Sequence, residues 1–171
     1  NESVFGPSPK ALKVMKDESS SLWMYGDPEN FDLKIEIAKK HNIKTENIVV
    51  GEGIDGLLGY LVRMLVEPND NVVTTDGSYP TFNYHVNGYA GILKKIPFKE
   101  DFEDLASLSS FSKKLRPKIV YVSNPNNPMG TFNNKSEIQA FINEVPDDTI
   151  ICLDEAYADF VPDDDLIDIN V

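Results

Sequence analysis

Four short segments of this chain hold side chains able to bind or polarise a ligand, and each follows an apolar run. Leu153-Asp154-Glu155-Ala156-Tyr157 closes the β-branched stretch that starts at Thr149. An acid at a strand's carboxyl end is partly desolvated and would hold a cationic partner strongly. Tyr157 adds a hydroxyl three residues on; the same acid could equally cap a following helix. Ser123-Asn124-Pro125-Asn126-Asn127-Pro128-Met129-Gly130-Thr131 sets two prolines around a pair of amides. Fixed φ at the prolines and freedom at Gly130 make a stiff loop that would hold Asn127 still as a donor to a ligand oxygen. Such residues also build ordinary connecting turns. Gly51-Glu52-Gly53-Ile54-Asp55-Gly56 lies between a short strand and a helix, where free first-turn amides and the helix dipole cradle phosphate. A plain strand–helix turn uses the same residues. Ser78-Tyr79-Pro80-Thr81-Phe82 places rings after another strand end, for stacking on a flat ligand or for core packing.

The elements that must position these segments alternate between the two periods. Ser8-Pro9 reads as a helix N-cap and first residue, leading into Lys10–Lys16. Leu33, Ile37, Ala38 and His41 share a helical face, predicting a helix over 31–41. Ile48-Val49-Val50 reads as a short buried strand closed by Gly51. Leu57, Leu58, Leu61, Met64 and Leu65 mark a helix buried over a wide face and stopped by Pro68. Strands are expected at 71–75, 92–96, 118–123 and 149–153. Helices are expected at 80–86, at 103–114 with Leu105, Leu108 and Phe111 inward, and at 136–143. Continuous apolar strands alternating with helices define a three-layer α/β/α fold with a mostly parallel sheet. Ligands in such folds collect beyond the carboxyl ends of the strands.

The remaining features exclude more than they assign. The chain has 171 residues, and 16 basic against 28 acidic residues give a net charge of -12. That balance argues against nucleic acid, which needs a basic footprint. No apolar run reaches the ~20 residues of a membrane span, and the first residues have no signal-peptide character. Cys152, the lone cysteine, reads as a small buried hydrophobe in a reducing compartment. His41 and His85 have no metal-ligand spacing and read as structural, and Asp163-Asp164-Asp165 as a solvated loop. No Lys or Arg follows Lys135, while seven acids crowd the stretch from Asp154 to Asp168, so a domain lacking its basic complement is expected.

In this order the segments resemble the fold-type-I aminotransferases that use pyridoxal 5′-phosphate, and within them the histidinol-phosphate aminotransferase group. Asn1-Glu2 with Gly6-Pro7-Ser8-Pro9 is similar to the group's N-terminal motif, and Tyr25-Gly26-Asp27-Pro28 to its Tyr-x-x-Pro. Ser123–Thr131 resembles its Asn-Pro-Asn-Asn-Pro-x-Gly-Thr and Leu153–Tyr157 its Asp-Glu-Ala-Tyr. The resemblance implies that Gly53, Ile54 and Asp55 sit at the cofactor phosphate and that Phe82 stacks on the pyridine ring. It implies that Asn127 and Tyr157 hydrogen-bond the phenolic oxygen and that Asp154 pairs with the pyridine nitrogen. Tyr25 would reach the phosphate of the partner subunit, implying a homodimer. Residues 1–30 would then be an arm with a cofactor-phosphate segment, and 31–171 part of a large cofactor domain whose small C-terminal companion is absent.

The implied substrates are a small amino donor, an amino acid or an amino phosphate like histidinol phosphate, and a 2-oxo acid, in cytoplasmic amino-acid biosynthesis. A decarboxylase acting on threonine phosphate shares these motifs, and a non-catalytic truncated paralogue is the reading from another class. Phe82 stands where the group often has Tyr, and Gly56 where Glu is common. The family's cofactor-linking lysine lies beyond the Asp-Glu-Ala-Tyr motif, as does its carboxylate-binding arginine. The chain is therefore expected to be partial and unable to complete catalysis by itself.

Overall fold

The computed structural model describes residues 4–165 and residue 167; Asn1, Glu2 and Asp168 of the sequence argument lie outside them. The chain divides into two compact units, residues 1–48 and residues 49–171, so the helix expected at 31–41 groups with the N-terminal residues.

In the first unit, α1 spans Pro9–Glu18, with Ser8 accepting from the Ala11 amide at 3.2 Å. Helix α2 spans Phe31–His41, as its periodicity predicts. Asp27 presents one carboxylate oxygen to the Glu29 amide at 2.9 Å and the other to the Phe31 amide at 2.7 Å. Those bonds hold its carboxyl below the usual range, with the Phe31 bond the larger cause. At the far end Asn42 takes the left-handed conformation that ends many helices. Neither helix buries a residue.

Ile48-Val49-Val50 is not a strand. The Ile48 amide is spent on the Thr45 carbonyl at 3.1 Å, closing a tight turn, and Val49 is exposed. β-Branched residues favour an extended chain, but a strand also needs a ladder partner, and this segment has none among the described residues.

The second unit holds a four-stranded parallel sheet of β1 (Asn71–Asp76), β2 (Ile92–Pro97), β3 (Ile119–Ser123) and β4 (Ile150–Asp154), in the order β2-β1-β3-β4. Its helices are α3 (Gly53–Leu65), α4 (Pro80–Gly88), α5 (Leu105–Leu115) and α6 (Lys135–Glu144). Alternate side chains of one strand enter different cores. Val72, Ile119 and Tyr121 pack with Leu58 and Val62 of α3 and Phe82 and Val86 of α4. Val73, Val120 and Val122 pack with Leu108 of α5 and Phe141 of α6. Both faces are covered, which is why the central strand β3 is buried along its whole length and reads as a nearly continuous apolar run, while the edge strand β2 carries Lys94 and Lys95.

Two helical faces differ from expectation. Met64 is 79% exposed, and α3 buries Leu58, as expected, together with Val62. Phe111 is exposed while Ser109 and Ser112 are buried; α5 begins at Leu105, with Asp104 as its cap and Glu103 left outside. Where α3 meets α4, a side chain at Gly59 would lie 2.9 Å from the His85 ring. His85 reaches the Asp55 carbonyl at 3.0 Å, so this histidine ties two helices together.

Candidate functional site

The sheet changes direction at β1. One crossover runs from β1 outward to β2, and the next returns past β1 to β3. The crevice at such a switch point, outside the carboxyl ends of the strands, is where doubly wound sheets bind ligands. Here those ends lead into Ser78-Tyr79 after β1, the asparagine–proline loop after β3 and Glu155 after β4.

Asp154, the last residue of β4, is 7% exposed. Its Oδ2 accepts from the Tyr121 hydroxyl at 2.6 Å and its Oδ1 from the Ala156 amide at 3.0 Å. Both donors are neutral, so a buried carboxylate retains the capacity to attract a cation. Burial, then Asp154 itself, raises the Tyr121 phenol far above its usual range, so it stays a donor. The same two causes push the Cys152 thiol up to about 12 and raise the Glu155 carboxyl. The cysteine is half-buried rather than buried, packed against the core, and its raised thiol makes it a poor nucleophile.

At the start of α3, Gly53 has φ +73°, a conformation that favours glycine, and its amide turns back to the Gly51 carbonyl at 2.8 Å. Ile54 leans on the core, and Asp55 accepts from the Tyr79 hydroxyl at 2.7 Å. That bond ties the helix start to the β1–α4 loop. Tyr79 titrates above its usual range: a Thr81 hydrogen bond lowers it, but Asp55, burial and Asp154 outweigh that.

The β3–α6 loop is anchored from within. Asn124 exchanges two hydrogen bonds with the backbone of Asn133, at 3.0 and 2.8 Å, and its amide donates to the Asp154 carbonyl at 2.9 Å. Asn126 donates to Ser78 Oγ at 3.2 Å and to Glu103 Oε1 at 2.8 Å, and accepts from the Met129 amide. Asn127 follows directly and is half-buried.

The structure thus brings Asp55 at the start of α3, Tyr79 and Asn127 on their loops and Asp154 at the end of β4 to the carboxyl edge of the sheet. The segments are tied by the Tyr79–Asp55, Asn126–Ser78 and Asn124–Asp154 bonds. Phe82 is wholly enclosed, its ring stacked on Tyr121 with centroids 4.4 Å apart. Tyr157 lies three residues past Asp154, its ring 6.5 Å from that of Phe160. Tyr25 belongs to the other compact unit, where its ring is fully exposed. Two participants escape a motif reading. Tyr121 sits mid-strand among apolar residues, and Glu103 lies in a stretch that looks like the start of a helix; only buried polarity found in three dimensions picks them out.

A doubly wound sheet thus carries a glycine-started helix, an amide loop and a buried acid at its carboxyl edge. The chain belongs to the family of class I and II aminotransferases, whose model matches residues 1–170. It is 35% identical over 160 residues to histidinol-phosphate aminotransferase 2 of Carboxydothermus hydrogenoformans, covering 94% of this chain and 44% of that protein. The crystal structure of histidinol-phosphate aminotransferase from Sinorhizobium meliloti in complex with pyridoxal 5′-phosphate matches with a TM-score of 0.96 and 44% identity. It covers 99% of this chain and 46% of that one. L-threonine-O-3-phosphate decarboxylase from Porphyromonas gingivalis matches with a TM-score of 0.78 at 19% identity, over 94% of this chain and 48% of that one, a likeness of fold alone. The chain spans less than half the length of these relatives. Among the described residues no helix is long and apolar enough to cross a membrane.

Proposed function

We propose that this chain holds pyridoxal 5′-phosphate at the carboxyl edge of its sheet, as part of an aminotransferase. The amino donor would be an amino acid or an amino phosphate of the histidinol-phosphate kind, and the acceptor a 2-oxo acid. The observation that carries the reading is Asp154: a nearly enclosed carboxylate at a strand end, held by two neutral donors, beside a stiff amide loop. The residues fit the cofactor. When bound, it supplies an electron sink for the carbanion that transamination requires.

Asp154 would keep the proton on the pyridine nitrogen, because an adjacent carboxylate favours the cationic form. Ile54 and Asp55 would offer first-turn amides of α3 to the phosphate, where the helix dipole favours an anion. Gly53 would let the backbone approach closely. Asn127 and Tyr157 would donate to the phenolic oxygen and fix the ring's rotation. For Phe82 to serve as the stacking ring it would have to part from Tyr121; half-buried Tyr79 is the aromatic side chain already at the sheet edge. Tyr25 would serve the phosphate of a partner subunit in a homodimer. A cytoplasmic location accords with a lone thiol.

The test is titration of the full-length gene product with pyridoxamine 5′-phosphate, followed by fluorescence, for wild type and Asp154→Ala. Saturable binding weakened at least about tenfold by the substitution is expected from loss of a charge-assisted bond. Equal binding by both proteins would remove Asp154 from the site.

A further inference from the structure

Glu103 is a buried acid outside every motif of the sequence, 5% exposed. Four donors converge on its carboxylate. Oε1 accepts from Asn126 Nδ2 at 2.8 Å, from the Ser123 amide at 3.3 Å and from Ser78 Oγ at 3.4 Å, while Oε2 accepts from Thr75 Oγ1. Thr75 lies in β1 and Ser78 just past its end, while Ser123 closes β3 and Asn126 lies in the loop after it. These are the two strands between which the sheet reverses direction. Burial raises the carboxyl above its ordinary range despite those bonds, so placing an acid here costs stability.

The delivery of Glu103 is also built. Lys99 and Phe102 exchange both backbone hydrogen bonds, at 3.0 Å each, around Glu100 and Asp101 with φ of +52° and +67°. Two successive non-glycine residues in the left-handed region are disfavoured, and the surroundings must hold them there. The holding bonds come from the β3–α6 loop: Thr131 Oγ1 donates to the Asp101 carbonyl at 2.8 Å and Asn133 Nδ2 to the Glu103 carbonyl at 3.3 Å. A strained turn and two loop bonds to its backbone thus deliver one buried acid.

We infer that Glu103 is a positioning residue, whose Oε1 gathers Asn126, Ser78 and the Ser123 amide and so fixes the backbone from which Asn127 projects at the proposed cofactor site. It rests on the cofactor reading above and acts only through Asn126 and the two strand ends. Its role is that of an acceptor. Glutamine would preserve it, since Oε1 remains and Thr75 Oγ1 can accept from the new amide.

The experiment uses the full-length gene product and two probes. Pyridoxamine 5′-phosphate reports ring and phosphate together, while inorganic phosphate reports the α3 start, which is tied to Tyr79 rather than to Glu103. Glu103→Ala should weaken pyridoxamine 5′-phosphate about tenfold, the loss of roughly one well-made hydrogen bond, and leave phosphate affinity unchanged. Glu103→Gln should bind within about threefold of wild type. Asn126→Ala should match Glu103→Ala, and the double variant should be no weaker than either. Wild-type binding by Glu103→Ala, a parallel loss of phosphate, or a glutamine variant as weak as alanine would each overturn the role. Should the alanine variant not fold, Asn126→Ala with wild-type affinity overturns it instead. If wild type itself fails to bind pyridoxamine 5′-phosphate, the cofactor reading falls and the role of Glu103 falls with it.

Discussion

Tyr121 on β3 donates its hydroxyl to Oδ2 of Asp154 on the neighbouring strand, across 2.6 Å, with both residues buried. The register makes this a diagonal contact: Tyr121 stands opposite Cys152, and Asp154 is two residues further along the same face of β4. Tyr121 also stacks on Phe82 of α4, so one side chain links the candidate charge partner to the core beneath it. Tyr121→Phe keeps the stack and removes the bond, leaving a buried carboxylate oxygen without its donor. A loss of about 1–3 kcal/mol is expected, seen as a lower urea midpoint with unchanged slope. An unchanged midpoint would mean that another group holds Asp154.

Asp154→Ala tests function rather than folding. In the full-length gene product its turnover should fall by about a hundredfold or more, since on the proposed reading it would lose charge stabilisation at the reacting system. Stability should change by no more than about 1–3 kcal/mol. Single-turnover kinetics with a 2-oxo acid, set beside the melting curve, separate the two. Near wild-type turnover would sink the assignment.

Phe82→Ala opens a hole against Tyr121, Val86 and Val62, and a loss of about 3–5 kcal/mol is expected. Tyr79→Phe removes the hydroxyl's bonds to Asp55 and Thr81 without opening a hole and should cost far less. If Phe82→Ala instead left stability intact while weakening pyridoxamine 5′-phosphate, the ring would be a ligand-facing one that moves when the site fills.

How much of this was legible in advance depends on where the information lies. Helix α2 and the four strands follow from local periodicity and turn residues, which act within a few positions of themselves. The Ile48–Val50 strand fails because propensity does not supply a ladder partner. Met64 and Phe111 face solvent because each core is set by helices brought together from afar: α3 with α4, α5 with α6. Asp154 and Asn127 stand out because their motifs concentrate unusual residues after a strand. Glu103 does not, since its four donors are scattered from Thr75 to Asn126 and converge only once β1 and β3 are adjacent.

Glu103 also predicts a pH dependence. Its carboxyl is raised in the folded state above an ordinary value of 4.5, chiefly by burial. A raised acid binds its proton more tightly when folded, so its favourable contribution is complete below the unfolded value and lost as pH rises through the folded one. Glutamine does not titrate. The stability of wild type relative to Glu103→Gln should therefore decline as pH climbs from about 4.5, then level off once the folded acid is ionised. Paired urea titrations across pH 4 to 8, roughly the range in which a raised acid ionises, measure it, and the comparison cancels the raised Glu155. A flat difference would show that the four donors balance burial, and one that rises with pH that they outweigh it; either overturns the raised carboxyl.

The 171-residue chain by itself should not attach pyridoxal 5′-phosphate covalently at one defined lysine. On the proposed reading, attachment would need an amine near the ends of β3 and β4, where Asn127 and Asp154 would hold the cofactor's ring. The strand lysines, Lys94 and Lys95, lie on β2, at the opposite edge of the sheet. Three strand spacings, about 14 Å, separate β2 from β4. Lys95 is also paired with Asp76 at 3.1 Å. Lys113 pairs with Glu144 across α5 and α6, and Lys34 with Glu29 in the other unit. Non-covalent binding through the start of α3 needs only backbone amides and is compatible with this outcome. Borohydride reduction after a visible-absorption titration, with peptide mapping, gives the answer. Scattered substoichiometric labelling is expected; stoichiometric labelling of a single lysine would show that these residues hold a complete attachment site.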